Sequence, residues 1–373
     1  MNRIIYLVVF IFTCSCIYGQ EFKKVKSKSK HAEEIISIAC NDNYFATSSY
    51  DKSIIVWNYD GRIIYKHKLL EGKINSLLFI PKSNSLMVGM TEKNNNSTPR
   101  FIIKSFDING NQENEFIDPE LTQEFVNEFY KNNTVSEQNT LNSIKKSFPT
   151  LSVVEGLDIP QAKNGLSHLE LIQHIAISPE GTTIASIDKF NILNIWSKGG
   201  KLLKNIQINN HKKDTQIYFT SEAELLITPN IFLDINSLDT KLIDGFEMYS
   251  SIIFDDMIYF FFDYNDKSRT EKLFQLESKS VKEMDKSKFY SFEAARSKTK
   301  LSLLGTDGLI RVIDSEGTLL STFGREKKET SIFRGERLTV FSNISKIGFS
   351  PDGRHIVSGD ENGKVVIWKA QLN

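Results

Sequence analysis

The C-terminal stretch from Ile347 to Trp368 carries the pattern that most restricts the fold. An apolar run, Ile347-Gly348-Phe349, meets a Ser350-Pro351-Asp352-Gly353 turn, and a second run from His355 meets Asn362-Gly363. A third run then ends on Trp368. Pro presets φ and Gly takes positive φ at no steric cost, so this punctuation reads as tight turns between short strands. The same plan recurs from Ile175 through Gly181 to Trp196, and over Ile35–Cys40, Tyr44–Ser49 and Ser53–Trp57. A looser copy covers Ile74–Ile80, Ser85–Met90 and Phe101–Phe106.

With the end of the third strand as a landmark, Trp57, Phe106, Trp196, Leu233, Phe274, Ile313 and Trp368 mark seven units. The fourth and fifth have neither Trp nor an Asp-Gly turn. Period and alternation alone place them, which leaves six and eight units as open counts. Turns at Asp60-Gly61, Asn109-Gly110, Gly199-Gly200 and Glu316-Gly317 lead into fourth strands. Four short strands per unit, at a spacing of about 40 residues, predict an all-β, seven-bladed β-propeller.

These units resemble WD40 repeats, and the resemblance spans essentially the whole chain from residue 20 onward. In the first unit His31, Ser49, Asp51 and Trp57 match the hydrogen-bonded His–Ser–Asp–Trp set typical of such blades. Asp307-Gly308 and Asn362-Gly363 match the turn position, while the third unit has Phe190 where an acidic residue belongs. The resemblance implies one ring over residues 20–373, with protein partners as the default. It also implies that an N-terminal strand completes the final blade. The last unit stops five residues after Trp368, and residues 20–30 are a surplus segment of strand length. Their lysines fit a protected edge strand, the alternative being a tether to an anionic surface.

The first 19 residues read as a secretory signal peptide: Arg3, an apolar run from Ile4 to Phe12, and the small Gly19. The run is shorter than the roughly 20 apolar residues that span a bilayer, so no stable membrane span is expected after cleavage. Cys14 and Cys16 raise a lipoprotein reading, but neither follows a convincing lipobox. The expected product is periplasmic or extracellular, with Cys40 as its one thiol and no intramolecular disulfide. Cys40 sits in an apolar run and reads as a small buried hydrophobe.

Two interruptions break the repeat. Asp118-Pro119 followed by Leu121, Phe125 and Phe129 has helical spacing, as do Leu141, Ile144 and Phe148. A small, partly helical insertion over 118–165 is therefore expected between blades two and three. The second, Arg325 to Val340, reads as a basic loop whose charge is offset by Glu326, Glu329 and Glu336. Loops on a rigid scaffold commonly carry binding residues, while surface insertions also cost little. Phe125, Phe129, Tyr130, Phe333, Arg334 and Arg337 are the candidate partner-binding residues.

Chemistry is harder to find. The 46 Lys and Arg balance 46 Asp and Glu, which argues against a nucleic-acid partner. Phosphate-loop, nucleophile-elbow, Rossmann and metalloprotease motifs are absent. His168 and His174 would need a third ligand before zinc became credible. Asp107-Ile-Asn109 mimics a calcium loop, but Gln112 occupies the obligatory Gly position. No catalytic residue, metal or cofactor is expected. The leading reading is a non-enzymatic, exported, monomeric scaffold for protein–protein interaction. The alternative is an exported propeller enzyme of metal-assisted hydrolase or lactonase type, acting at the central channel. The apolar first strands at Ile36–Ala39, Ile74–Phe79, Ile175–Ile177 and Ile347–Phe349 show no repeated acidic position and favour the scaffold.

Overall fold

The computed structural model describes residues 21–69, 72–92, 100–116, 168, 171–208, 215–244, 246, 249–262, 271–284, 291–324, 329–333, 336–340 and 344–371. Among them, seven antiparallel four-stranded sheets follow one another around a ring, joined by one separate hairpin. The chain opens with β1 (Phe22–Ser29), then builds blade one from β2 (Ile35–Cys40), β3 (Tyr44–Ser49), β4 (Ser53–Asn58) and β5 (Ile63–Lys68). Blade two is β6 (Lys73–Phe79) to β9 (Gln112–Phe116), with β7 (Leu86–Glu92) and β8 (Arg100–Phe106) between. Blade three runs through β10 (Ile172–Ile177), β11 (Thr183–Asp188), β12 (Ile192–Ser197) and β13 (Leu202–Gln207). Blade four is β14 (Ile217–Phe219), β15 (Glu224–Ile227), β16 (Ile231–Asp234) and β17 (Thr240–Leu242). Blade five is β18 (Tyr249–Phe254), β19 (Met257–Phe262), β20 (Lys272–Gln275) and β21 (Val281–Glu283). Blade six is β22 (Ser291–Arg296), β23 (Lys300–Gly305), β24 (Leu309–Asp314) and β25 (Leu319–Gly324). After the hairpin β26 (Glu329–Phe333) and β27 (Glu336–Val340) come β28 (Ile344–Phe349), β29 (His355–Asp360) and β30 (Lys364–Ala370).

All seven landmark residues lie in third strands. The last sheet is ordered β1-β30-β29-β28, so the two ends of the chain share one blade. The antiparallel register runs from Phe22 opposite Ala370 to Ser29 opposite Lys364, with a bulge at Val25. Phe22 is the reason this strand does more than cover an edge. It is buried, stacks on Phe323 of blade six at 5.1 Å and meets Phe349 edge-on at 6.1 Å.

Burial follows position in the blade. The second and third strands of blade one are buried almost throughout, whereas the outer β5 alternates half-buried and exposed residues. Inner strands packed on both faces read as continuous apolar runs, and outer strands keep the period of two. The apolar clusters sit between neighbouring blades. Ile35, Phe45, Ile55 and Trp57 of blade one pack on Val357, Val365 and Ile367 of blade seven, closing the seam. Close approach there needs glycine: a Cβ on Gly359 would lie 2.6 Å from the Ile35 side chain. Gly363 has φ +72°, and a Cβ on it would lie 2.5 Å from the His31 carbonyl oxygen.

The segment from Arg325 to Val340 departs from the expected basic loop. Its greater part forms the β26–β27 hairpin, with Ile332 opposite Arg337 and Phe333 opposite Glu336. The signal was present: two residues, Arg334-Gly335, separate two runs of strand-forming composition. The expected helical insertion at 118–165 lies outside the described residues, as do residues 1–20.

Candidate functional site

Two features distinguish the ring: the buried polar networks that pin the blades, and the channel that the first strands enclose. In blade one His31 is buried. Its Nδ1 lies 2.8 Å from Ser53 Oγ and 3.4 Å from Asp51 Oδ1, and its Nε2 lies 2.8 Å from Thr47 Oγ1. The Trp57 indole N–H donates to Thr47 Oγ1 at 3.0 Å. A single tautomer satisfies the chain: Trp57 donates to Thr47, Thr47 donates to Nε2, and Nδ1–H donates toward Ser53 and Asp51. Burial opposes ionisation of Asp51, but donors from Ser53 and the Ala32 amide outweigh it and hold its carboxyl at about 2. Burial lowers the His31 pKa, with Asp51 partly opposing, so the ring stays neutral.

This geometry corrects the expected set. Ser49 is not the hydroxyl between His31 and Trp57; it donates to the Glu33 carbonyl and accepts from the Asp51 amide. Thr47 and Ser49 share one face of β3, but Thr47 is the one beside the indole. A second network, unforeseen in the sequence, occupies blade three. His168 Nε2 lies 2.6 Å from Ser186 Oγ, which also accepts the Trp196 indole at 2.8 Å. Asp188 Oδ2 stands 3.5 Å from His168 Nδ1. Asp188 also caps the turn by accepting from the Phe190 and Ile192 amides, so Phe190 leaves no gap in the set. Blade seven repeats the indole contact, with Trp368 donating to Ser358 at 3.0 Å. In all three blades the hydroxyl lies ten residues before the Trp, which is the spacing that sequence reading missed.

The buried histidines imply acid lability. His31 and His355 have lowered pKa values from burial, and burial pushes His174 down to about 4. Unfolding lets such groups take up protons, so stability should fall as pH drops from about 6.5 toward 4. Loss of the Asp51 contribution should follow between about 3.8 and 2, where its folded form still resists protonation. Urea midpoints across pH check this, and His174→Gln should flatten the first window.

The central cavity measures about 650 Å³ and is lined by first strands of all seven blades. Ile36–Cys40, Leu77, Phe79, Ile175 and Phe349 supply apolar wall, as the first strands of those blades predict. Burial pushes the thiol of Cys40 in this wall up to about 12, which suits an inert side chain. Polar side chains complete the lining. Lys346 pairs with Glu293 across blades six and seven at 2.7 Å. His174, Gln216, Tyr218 and Arg296 also line it, and the Tyr218 hydroxyl donates to Gln216. These residues come mainly from blades four and six. Among the described residues, no group of three or more His, Cys, Asp and Glu is arranged to hold a metal ion. Asp107 accepts from the Asn109 and Asn111 amides and closes a turn, as expected of the calcium mimic.

Strand direction sorts the loops. With alternating strands, the turn between second and third strands and the connection to the next blade leave from one face. The Asp51 and Asp188 turns, the β9 end at Phe116, the β10 start at Ile172 and the β26–β27 hairpin therefore share that face. The candidate residues Phe125, Phe129, Tyr130 and Arg334 lie outside the described residues. The backbones of Phe333 and Arg337 flank the hairpin end.

The family model for the WD domain, G-beta repeat, matches residues 22–58 and 329–369. No curated protein matches the chain. The fold and its indole networks define a propeller of tryptophan-anchored blades. The two matched repeats at the closing seam and the seven-bladed ring together support a WD40-repeat propeller family.

Proposed function

We propose that this chain is an exported, non-catalytic scaffold that binds a protein partner on the face carrying the Asp51 turn. WD40 propellers commonly act as protein-interaction scaffolds. The observation that carries the reading is the shared face: the end of β9 at Phe116, the start of β10 at Ile172 and the β26–β27 hairpin all lie on the connections that open there. The ring behind it is closed and packed between every pair of blades, so such loops would be held on a rigid base. Crosslinking in the native host, followed by capture of the tagged chain, tests the proposal. A chain lacking residues 118–165 should lose its captured partner while keeping its melting temperature. Identical partners for the shortened chain and for one lacking 329–340 would contradict it.

Export carries its own expected result. Intact mass of protein from the host should place the N-terminus at or near Gln20, with no lipid on Cys14 or Cys16. A mass that includes residues 1–19 would count against export by this signal.

A further inference from the structure

Blades seven and one present their outer strands, β1 and β5, side by side. The Lys66 Nζ donates to the Lys30 carbonyl at 3.4 Å, and a Cβ on Gly61 would lie 3.0 Å from the Lys26 Cγ. Both strands are basic. β1 carries Lys23, Lys24, Lys26 and Lys28, and β5 carries Lys66 and Lys68, with no acidic residue in either. Lys30 and Arg62 extend the set, while Glu21, Glu33 and Asp60 lie beyond the strand ends. None of the other five outer strands has more than one lysine or arginine, and β9 is acidic.

Strand pairing directs these charges. Lys26 and Lys28 stand opposite Ile367 and Val365 on β30, and Lys66 stands opposite Ile55 on β4. Those three apolar residues pack together in the seam, and directly paired residues share a sheet face. The lysines therefore wall the outer end of that seam from both sides, and Lys68, two residues beyond Lys66, joins them. Among the described residues, Lys23 alone of this group forms an ion pair, with Glu21 at 3.3 Å. Lysine protects edge strands, but that need is the same in every blade and does not explain six lysines on two neighbours. The whole chain is charge-balanced, so the excess is a property of this wall.

Two aliphatic side chains stand among the cations. Val25 and Ile64 are the unpaired bulge residues of β1 and β5, and they are 49% and 37% exposed. Cations around exposed aliphatic groups suit the headgroup layer of a bilayer. Single-stranded nucleic acid stacks on aromatic rings instead, and the exposed apolar residues here are aliphatic. We propose that the β1–β5 wall docks on an anionic lipid surface, with its lysines at the lipid phosphates and Val25 and Ile64 in the interfacial layer. The inference does not depend on the protein-partner face, since it concerns the rim of the ring and a different set of residues.

Vesicle flotation tests this on a chain that starts at Gln20, so that the apolar run from Ile4 to Phe12 takes no part. Vesicles of equal parts phosphatidylglycerol and phosphatidylcholine should carry the chain, and phosphatidylcholine alone should not. A lysine near an anionic surface is worth about fivefold in affinity, so Lys66→Gln/Lys68→Gln should weaken binding at least about tenfold. Lys201→Gln/Lys241→Gln makes the same charge change on exposed residues of blades three and four and should leave binding unchanged. Lys26→Gln/Lys28→Gln should repeat the loss from the other strand, and it decides if the β5 variant unfolds. No flotation with phosphatidylglycerol, or an equal loss in the Lys201/Lys241 variant, would overturn the proposal. So would equally tight binding of polyglutamate or of a single-stranded oligonucleotide, which would assign the wall to a soluble polyanion.

Discussion

A chain that starts at His31 should aggregate and melt far below one that starts at Gln20. The loss has two parts. Removing β1 strips β30 of its outer ladder, exposing the backbone groups that pair from Phe22–Ala370 to Ser29–Lys364. An unpaired edge of that length is a template for association with other chains. Removing Phe22 also empties a site buried between Phe323, Phe349 and Trp368. Truncation of a buried Phe alone costs about 3–5 kcal/mol, so Phe22→Ala should reproduce much of the thermal effect without exposing the edge. Deleting 329–340 is the matched control, because β26 and β27 pair only with each other. Calorimetry and light scattering on the three variants separate packing loss from edge exposure.

Thr47→Val should destabilise the ring more than Ser49→Ala, although the sequence pointed to Ser49. Valine keeps the volume and removes the hydroxyl, leaving the His31 Nε2 and the Trp57 indole N–H without their shared partner. Each orphaned buried group costs about 1–3 kcal/mol, so the pair should cost about 2–6 kcal/mol. Ser49 serves the Glu33 carbonyl and Asp51 amide near the end of β3, where water can replace it more readily. Its loss should cost about 1 kcal/mol. Urea unfolding with unchanged slope measures both, and Ser186→Ala should resemble Thr47→Val because His168 and Trp196 depend on it. Equal midpoints for Thr47→Val and Ser49→Ala would reject the central place given to Thr47.

The ring was legible because its constraints are local and repeated. Trp57, Trp196 and Trp368 end third strands, and Gly181, Gly353 and Gly363 take positive φ at turns. Blades four and five were harder because β14, β17 and β21 are three residues long, too short for alternation to speak. The networks were half legible. Positions 47 and 49 point to one face of a strand, so period alone cannot choose between them; depth beside Trp57 decides, and that is set by pairing. Asp188 was missed because it reaches His168 from the end of its strand, whereas Asp51 reaches His31 from the turn. The polar part of the channel lining was missed because no local signal marks it. Glu293, Arg296 and Gln216 come from segments without turn signals, and only closure of the ring brings them into one channel.

The shared final blade is the claim on which the architecture rests, and its register can be read directly. Lys23 and Lys369 are directly paired and both exposed, so cysteines there would sit opposite each other without disturbing the core. The background is a chain starting at Gln20 with Cys40→Ser. Mild oxidation of Lys23→Cys/Lys369→Cys should give an intramolecular crosslink, and Lys23→Cys/Lys364→Cys should not, because Lys364 pairs with Ser29 at the far end. No crosslink in the first variant, or equal crosslinking in both, would mean that the N-terminal strand does not close the ring in this register.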